Sequence, residues 1–315
     1  MAASIRIHRS REVAAVTLSS GELQATFVPE LNMLGTSLRL GGEEFLALPG
    51  GVAAYRRRHA TGLPLLAPWA NRLSERSYRV GDVQADLRDA DLSTDPNGLP
   101  IHGTMWAQPW EIDGLSARGR AARLRARFDY DRSDLLVAFP FPQRLEMEIE
   151  VDGRAVSIAT RIRPTSDRAV PVSFGFHPYL SLPGGRRVTW RLLLPERDHL
   201  LLDDRSIPTG GRAGEGAESE PIGTRTFDDL YELHDLRELG IEGSGRRLTV
   251  RFDEGYPYAQ VYAPPSANFV CLEPMTAPTD ALVRGDCVSV RPGETFTARF
   301  WIHPERLDQH IHRPE

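Results

Sequence analysis

Along most of the chain, apolar residues fall at every second position in short runs closed by Gly, Pro, Asn or Asp. That period of two is the mark of strands with one face buried. The clearest case is "RLEMEIEVDGRAVSIATRIRP", which alternates on both sides of Asp152-Gly153 and predicts a hairpin. "EVAAVTLSSGELQATFVPELNMLGTSLRLGGEEFL" predicts three strands, with turns at Ser20-Gly21, near Asn32 and at Gly41-Gly42. "RRVTWRLLLP", "RRLTVRFDEG", "AQVYAP", "NFVCLEP" and "DCVSVRPGETFTARFWIH" continue the pattern. Helical character is expected only in fragments such as 226–239. The Gly-rich stretch 208–226, "PTGGRAGEGAESEPIGTRT", reads as a flexible loop. With 24 prolines and 27 glycines, many turns and few long helices are expected. No fixed-period repeat or low-complexity linker divides the chain. The expectation is an all-β fold, one large antiparallel β-sandwich spanning residues 1–315 as a single domain.

Composition narrows the functional classes. A hydrophobic share of 41% and a charged share of 26% are those of a globular protein. The net charge of −5 argues against an electrostatic grip on nucleic acid or an anionic membrane. All 38 basic residues are arginine. Without lysine there is no Schiff-base chemistry, no lysine-bound pyridoxal phosphate and no P-loop lysine. Cys271 and Cys287 form no CxxC and no metal-ligand spacing, as in a reducing compartment without a disulfide framework. No signal-peptide core or apolar run of membrane-spanning length is present, so the expected location is the cytoplasm.

Candidate chemistry sits where the strand pattern breaks. In "DPNGLPIHGTMWAQPWEI", His102-Gly103 follows a turn and precedes two tryptophans. A histidine in such a corner is most often a satisfied structural group. In "SFGFHPYLSLPGG", His177 follows the alternating Phe174 and Phe176 and precedes Pro178, which cannot donate to a ladder. Glu273 is expected at the end of the apolar strand "FVCL". There a carboxylate must be solvated, paired or held at a raised pKa, and a raised pKa suits a general base. Arg72 follows the proline-braced "LPLLAPWAN", and its guanidinium makes several fixed hydrogen bonds to hydroxyls or carboxylates.

Taken in order, "NRL", "IHG", "FHPYL" and "LEPMTAPTDAL" resemble the aldose 1-epimerase (galactose mutarotase-like) family, and "VRPGETFTARFWI" is similar to its last strands. The resemblance runs from roughly residue 20 to 303. It implies a large β-supersandwich that interconverts the α and β anomers of free aldoses without metal or organic cofactor. It also implies Glu273 as general base at the C1 hydroxyl and His177 as general acid at the ring oxygen, with His102 hydrogen-bonding nearby. Arg72 with Asn71, and Asp228 in "TFDDLYEL", would bind the sugar, although Asp229 is adjacent and the register leaves both open. "IHGTMWAQPWEI" and "FGFHPYLSLPG" mark a divergent branch, so the sugar stays open between glucose, another aldose, and a phosphorylated or acidic derivative. Arg56, Arg57, Arg58, Arg72 and Arg76 lie near the motifs. The rival readings are a hexose-6-phosphate 1-epimerase, a non-catalytic carbohydrate-binding domain of the same fold, and a cupin-like metal enzyme. The last is disfavoured because the one HxH, His310-x-His312, stands in a polar tail far from a matching Glu. The expected partner is a small-molecule sugar, not nucleic acid or membrane, with the chain a monomer or homodimer.

Overall fold

The computed structural model describes residues 2–9 and 13–307; His310 and His312 lie outside them. Strands dominate, and the three α-helices among the described residues, Gly51–Arg56, Ser133–Leu136 and Ala281–Arg284, are each little more than a turn. No helix among them is long and apolar enough to cross a membrane. The expected antiparallel β architecture is what the chain adopts.

Two large antiparallel sheets carry the structure. The nine-stranded sheet is built around Arg246–Glu254, Phe296–Arg306, Val156–Pro164, Gln143–Val151 and Ala121–Tyr130, in that spatial order. The second sheet runs Pro208–Glu215, Arg197–Leu202, Phe227–Leu233, Tyr258–Ala263, Val270–Met275, Gly175–Phe176 and Leu65–Leu66, with Tyr179–Leu180 also paired to Val270–Met275. Three of the strands predicted near the N-terminus, Ala14–Ser20, Leu23–Val28 and Leu34–Leu40, lie in a third sheet with Ser4–Arg9 and Glu43–Glu44.

Alternation does the sorting. In Gln143–Val151 every second side chain is buried, and these residues join those of the other sheets in one hydrophobic cluster. The Phe176 and Phe300 rings, 5.0 Å apart, connect the two large sheets through that core. Val270–Met275 differs in being buried at all six positions. Val270 and Leu272 face the shared core. Met275 on the opposite face packs with Leu66 and Ala70 in a small separate cluster. That strand is covered on both sides, and the candidate chemistry gathers on its second face.

Three local expectations are corrected. Residues 226–239 form no helix: Phe227–Leu233 is a strand paired on both sides, and Glu238–Gly243 belongs to the other large sheet. Ladder hydrogen bonds to two neighbours override the weak local preference. The Gly-rich 208–226 stretch contains two strands, Pro208–Glu215 and Glu218–Pro221, each at the edge of a different sheet. Glycine and proline are tolerated at edges because one side of the strand needs no partner. Glu273 does not end its strand, which continues through Pro274 to Met275.

Phe300 is fully buried against Phe176 and Tyr256. Phe300→Ala is therefore expected to cost about 3–5 kcal/mol, read as a lower denaturant midpoint with unchanged slope.

Candidate active site

The second face of Val270–Met275 brings distant residues together. Glu273 stands directly across from Gln260 on Tyr258–Ala263. Asp228, on the next strand, is reached by Gln260 Nε2, which donates to its Oδ1 at 2.7 Å. His177 sits between the two short strands Gly175–Phe176 and Tyr179–Leu180, with its backbone N–H given to the Pro64 carbonyl at 3.1 Å. Its Nε2 lies 3.4 Å from Glu273 Oε1. The ring is stacked on Tyr179, with centroids 4.8 Å apart and planes 12° from parallel. Tyr262 meets it edge-on at 5.8 Å. Two aromatic neighbours thus fix the imidazole plane.

Arg72 is held by carboxylates from two directions. Its Nε donates to Asp95 Oδ2 at 2.9 Å, and its Nη2 approaches Asp228 Oδ2 at 3.4 Å. The other oxygen of Asp95 accepts from the backbone N–H groups of Asn97 and Leu99, each at 2.9 Å. The Asp-Pro-Asn-Gly turn is thereby the anchor of Arg72. From the far side, Asp280 accepts from the Ser74 N–H at 2.7 Å and the Ser74 hydroxyl at 2.9 Å, while its own N–H is given to the Arg72 carbonyl at 3.0 Å.

Asn71 and His102 both adopt left-handed backbone conformations, at φ 56° and 63°. Asn71 contributes through its backbone: its carbonyl accepts the His102 N–H at 3.0 Å, and its N–H donates to His102 Nδ1 at 3.3 Å. With Nδ1 an acceptor, the neutral ring carries its proton on Nε2. Gly103 follows at φ 67°, and a Cβ there would lie 2.2 Å from the Ala67 carbonyl oxygen. Only glycine lets the loop close this tightly. The His102 ring stands 5.7 Å from that of His177, edge to face.

Glu273, His177, His102, Arg72 and Asp228 thus form one cluster, with Asn71 supporting it from behind. Asp229 is directed elsewhere, 3.5 Å from His199. Gln260, Tyr262, Tyr179, Asp95 and Asp280 complete the surroundings. Gln260 and Tyr262 were legible in the alternation of "YAQVYA", which places them on one face; Asp95 and Asp280 act through loop contacts that no period signals. Of the arginines near the motifs, Arg58 is paired with Asp91.

Burial sets the proton affinities. Burial pushes the Glu273 carboxyl well above the usual carboxylate range; the Asp228 charge adds to this and Arg72 opposes it. Burial drives His177 down to about 3, with Arg72 contributing in the same direction. His102 is likewise lowered by desolvation, then by His177 and Arg72. Neither carboxyl oxygen of Glu273, nor Nδ1 of His177, nor Oε1 of Gln260 has a hydrogen-bond partner within the chain, although all are buried. Unmatched polar atoms on neighbouring residues of one cluster suit a ligand rich in hydroxyl groups. The same spot contains the one group of potential metal donors among the described residues, His177, Cys271 and Glu273.

Residues 36–303 match the family model described as aldose 1-epimerase. Among solved structures, the chain is similar to a galactose mutarotase-like protein from Clostridium acetobutylicum, with a TM-score of 0.87 at 18% identity over 97% of this chain and 99% of that one. It is similar to a galactose 1-epimerase from Lactobacillus acidophilus NCFM, with a TM-score of 0.79 at 15% identity over 97% and 99% of the two chains. A GalM/aldose epimerase homologue from C. elegans gives a TM-score of 0.72 at 14% identity over 98% and 100%. No curated protein matches by sequence.

The raised carboxyl has a stability consequence. In the fold Glu273 binds its proton more tightly than in the unfolded chain, where the ordinary value is 4.5. Its stabilising share is therefore complete below 4.5 and is lost as pH rises toward the folded value. His177 works in the opposite sense, losing stability as pH falls from its ordinary 6.5 toward about 3. Glu273→Gln removes the first effect and leaves the second. It is expected to be more stable than the parent, by a margin that grows above pH 4.5 at up to about 1.4 kcal/mol per pH unit. Denaturant unfolding of both proteins between acid and neutral pH checks this; equal stability throughout would contradict it.

Proposed function

The chain belongs to the aldose 1-epimerase family, and we propose that it interconverts the α and β anomers of a neutral aldose through Glu273 and His177. The observation that carries this reading is the 3.4 Å approach of a carboxyl to an imidazole, both buried, with both carboxyl oxygens unpartnered. The hydroxyl oxygen and ring oxygen that exchange protons in mutarotation are bonded to the same carbon. A base and an acid serving them must stand side by side, as these two groups do.

Between the lowered value of His177 and the raised value of Glu273, the pair holds one proton. Its two forms, neutral acid beside neutral imidazole and carboxylate beside imidazolium, have the same proton count. A bound sugar brings hydroxyl groups that solvate the charged form. The Glu273 carboxylate then takes the O1 proton while the His177 imidazolium gives its proton to O5. The C1–O5 bond breaks and C1 becomes a carbonyl. Rotation about C1–C2 presents the other face, and ring closure returns both protons along the same route. His102, neutral with its proton on Nε2, donates a hydrogen bond toward the ring oxygen. Arg72, Asp228 and Gln260 hold the remaining hydroxyls, and the bidentate reach of the guanidinium fixes orientation.

A neutral sugar is favoured over a phosphorylated one by charge. Arg72 is already shared between two carboxylates, so the immediate surroundings are net negative and repel a phosphate dianion.

Polarimetry of freshly dissolved α-glucose and α-galactose tests the activity. Glu273→Gln and His177→Asn are each expected to lower the rate by about 10²–10⁴-fold while sugar binding persists; parental turnover in both variants would overturn the assignment. The rate of the parent should fall on the alkaline side as Glu273 releases the shared proton. It should hold on the acid side until His177 takes up a second proton near 3.

A further inference from the structure

Cys271 has no role in the proposed reaction, yet it belongs to the same spot. It precedes Glu273 by two residues on one strand, so both side chains project from the same face. One donor atom each from His177, Cys271 and Glu273 lie within 4.8 Å of one another. Cys271 is fully buried and forms no disulfide. We propose that these three side chains form a binding site for Zn²⁺ that excludes the sugar and reversibly inhibits the protein.

Three observations support it. The donors are an imidazole nitrogen, a thiol sulfur and a carboxyl oxygen, a mixture that suits Zn²⁺ and gives Mg²⁺ or Ca²⁺ little, since those ions take oxygen ligands. Both Glu273 oxygens are buried without partners, and His177 turns its Nε2 toward them at 3.4 Å, so a cation there would satisfy a carboxyl group that the fold leaves unmatched. Tyr179 and Tyr262 both stand opposite Cys271 across the sheet and shield the sulfur from water. Three protein ligands leave one tetrahedral position for a water molecule.

Binding releases protons to solvent, from the Cys271 thiol as the Zn–S bond forms and from the Glu273 carboxyl as it becomes a ligand. The consequence for turnover is direct. The His177 lone pair and the Glu273 carboxylate are committed to the ion, so neither can accept or deliver a proton, and the ion stands where the sugar would.

The inhibition rests on the proposed epimerase activity, whereas the Zn²⁺ site itself does not, and the test separates the two. Co²⁺ titrated into the intact chain is expected to produce a thiolate-to-metal charge-transfer band, removed by Zn²⁺ and absent from Cys271→Ser and Cys271→Ala. In the polarimetric assay Zn²⁺ should inhibit in competition with sugar, and EDTA should restore activity. Both cysteine variants should turn over sugar like the parent and need at least about tenfold more Zn²⁺ for the same inhibition, since even an outer partner of a metal ligand is worth about 10–100-fold in affinity. The absence of a thiolate band, or equal Zn²⁺ sensitivity in parent and variants, overturns the site. A clear band in a protein that leaves sugar rotation unchanged would uphold the site and count against the epimerase reading alone.

Discussion

A carboxyl group buried beside an imidazole, with neither of its oxygens given a hydrogen bond by the chain, destabilises any fold that contains it. Each buried, unmatched polar atom costs about 1–3 kcal/mol. Glu273 could avoid this by gaining a donor, and the chain supplies none. Gln260 lies opposite but spends its amide N–H on Asp228, and Arg72 is divided between Asp95 and Asp228. The groups able to neutralise Glu273 are thus committed elsewhere, which keeps its proton affinity high and its oxygens available.

The remainder of the structure keeps this arrangement from relaxing. Val270–Met275 is covered on both faces, so Glu273 cannot swing outward. His177 is trapped between two two-residue strands and stacked on Tyr179. Asp280 ties the Arg72–Ser74 segment to the loop that follows Glu273, and the Asp95 turn ties Arg72 from the other side. His102 reaches His177 only because two left-handed residues and a glycine allow the loop to fold back on Ala67. Polar groups preorganised in this way stabilise charge that develops in a reaction without having to reorganise at that moment.

Much of this was legible in the sequence because the period of two is a direct consequence of the pleat. Alternation in 143–164 told which residues share a face, whereas the continuously apolar "FVCL" gave no such sign, and the shared face of Cys271 and Glu273 comes from the strand itself. Alternation failed at 226–239 and 208–226, where Asp-rich and Gly-rich composition hid strands stabilised by neighbours far away in the chain. The five clustered side chains were identified individually, but their meeting depends on which strands are adjacent, and only the fold supplies that. Asp95 and Asp280 escaped notice because loop anchors leave no periodic trace. The choice between Asp228 and Asp229 needed the register: Asp228 stands opposite Tyr262 on the face that carries Glu273, and Asp229 opposite Val261 on the core side.

At the centre is the claim that burial raises the proton affinity of Glu273 while lowering that of the His177 beside it. Site-resolved NMR titration of the Glu273 side-chain carbon and the His177 ring nitrogens measures this directly. The expected result is a carboxyl that keeps its proton above the ordinary 4.5, beside an imidazole that stays neutral below the ordinary 6.5. A carboxyl that ionises at or below 4.5, or an imidazole that charges at or above 6.5, would contradict it.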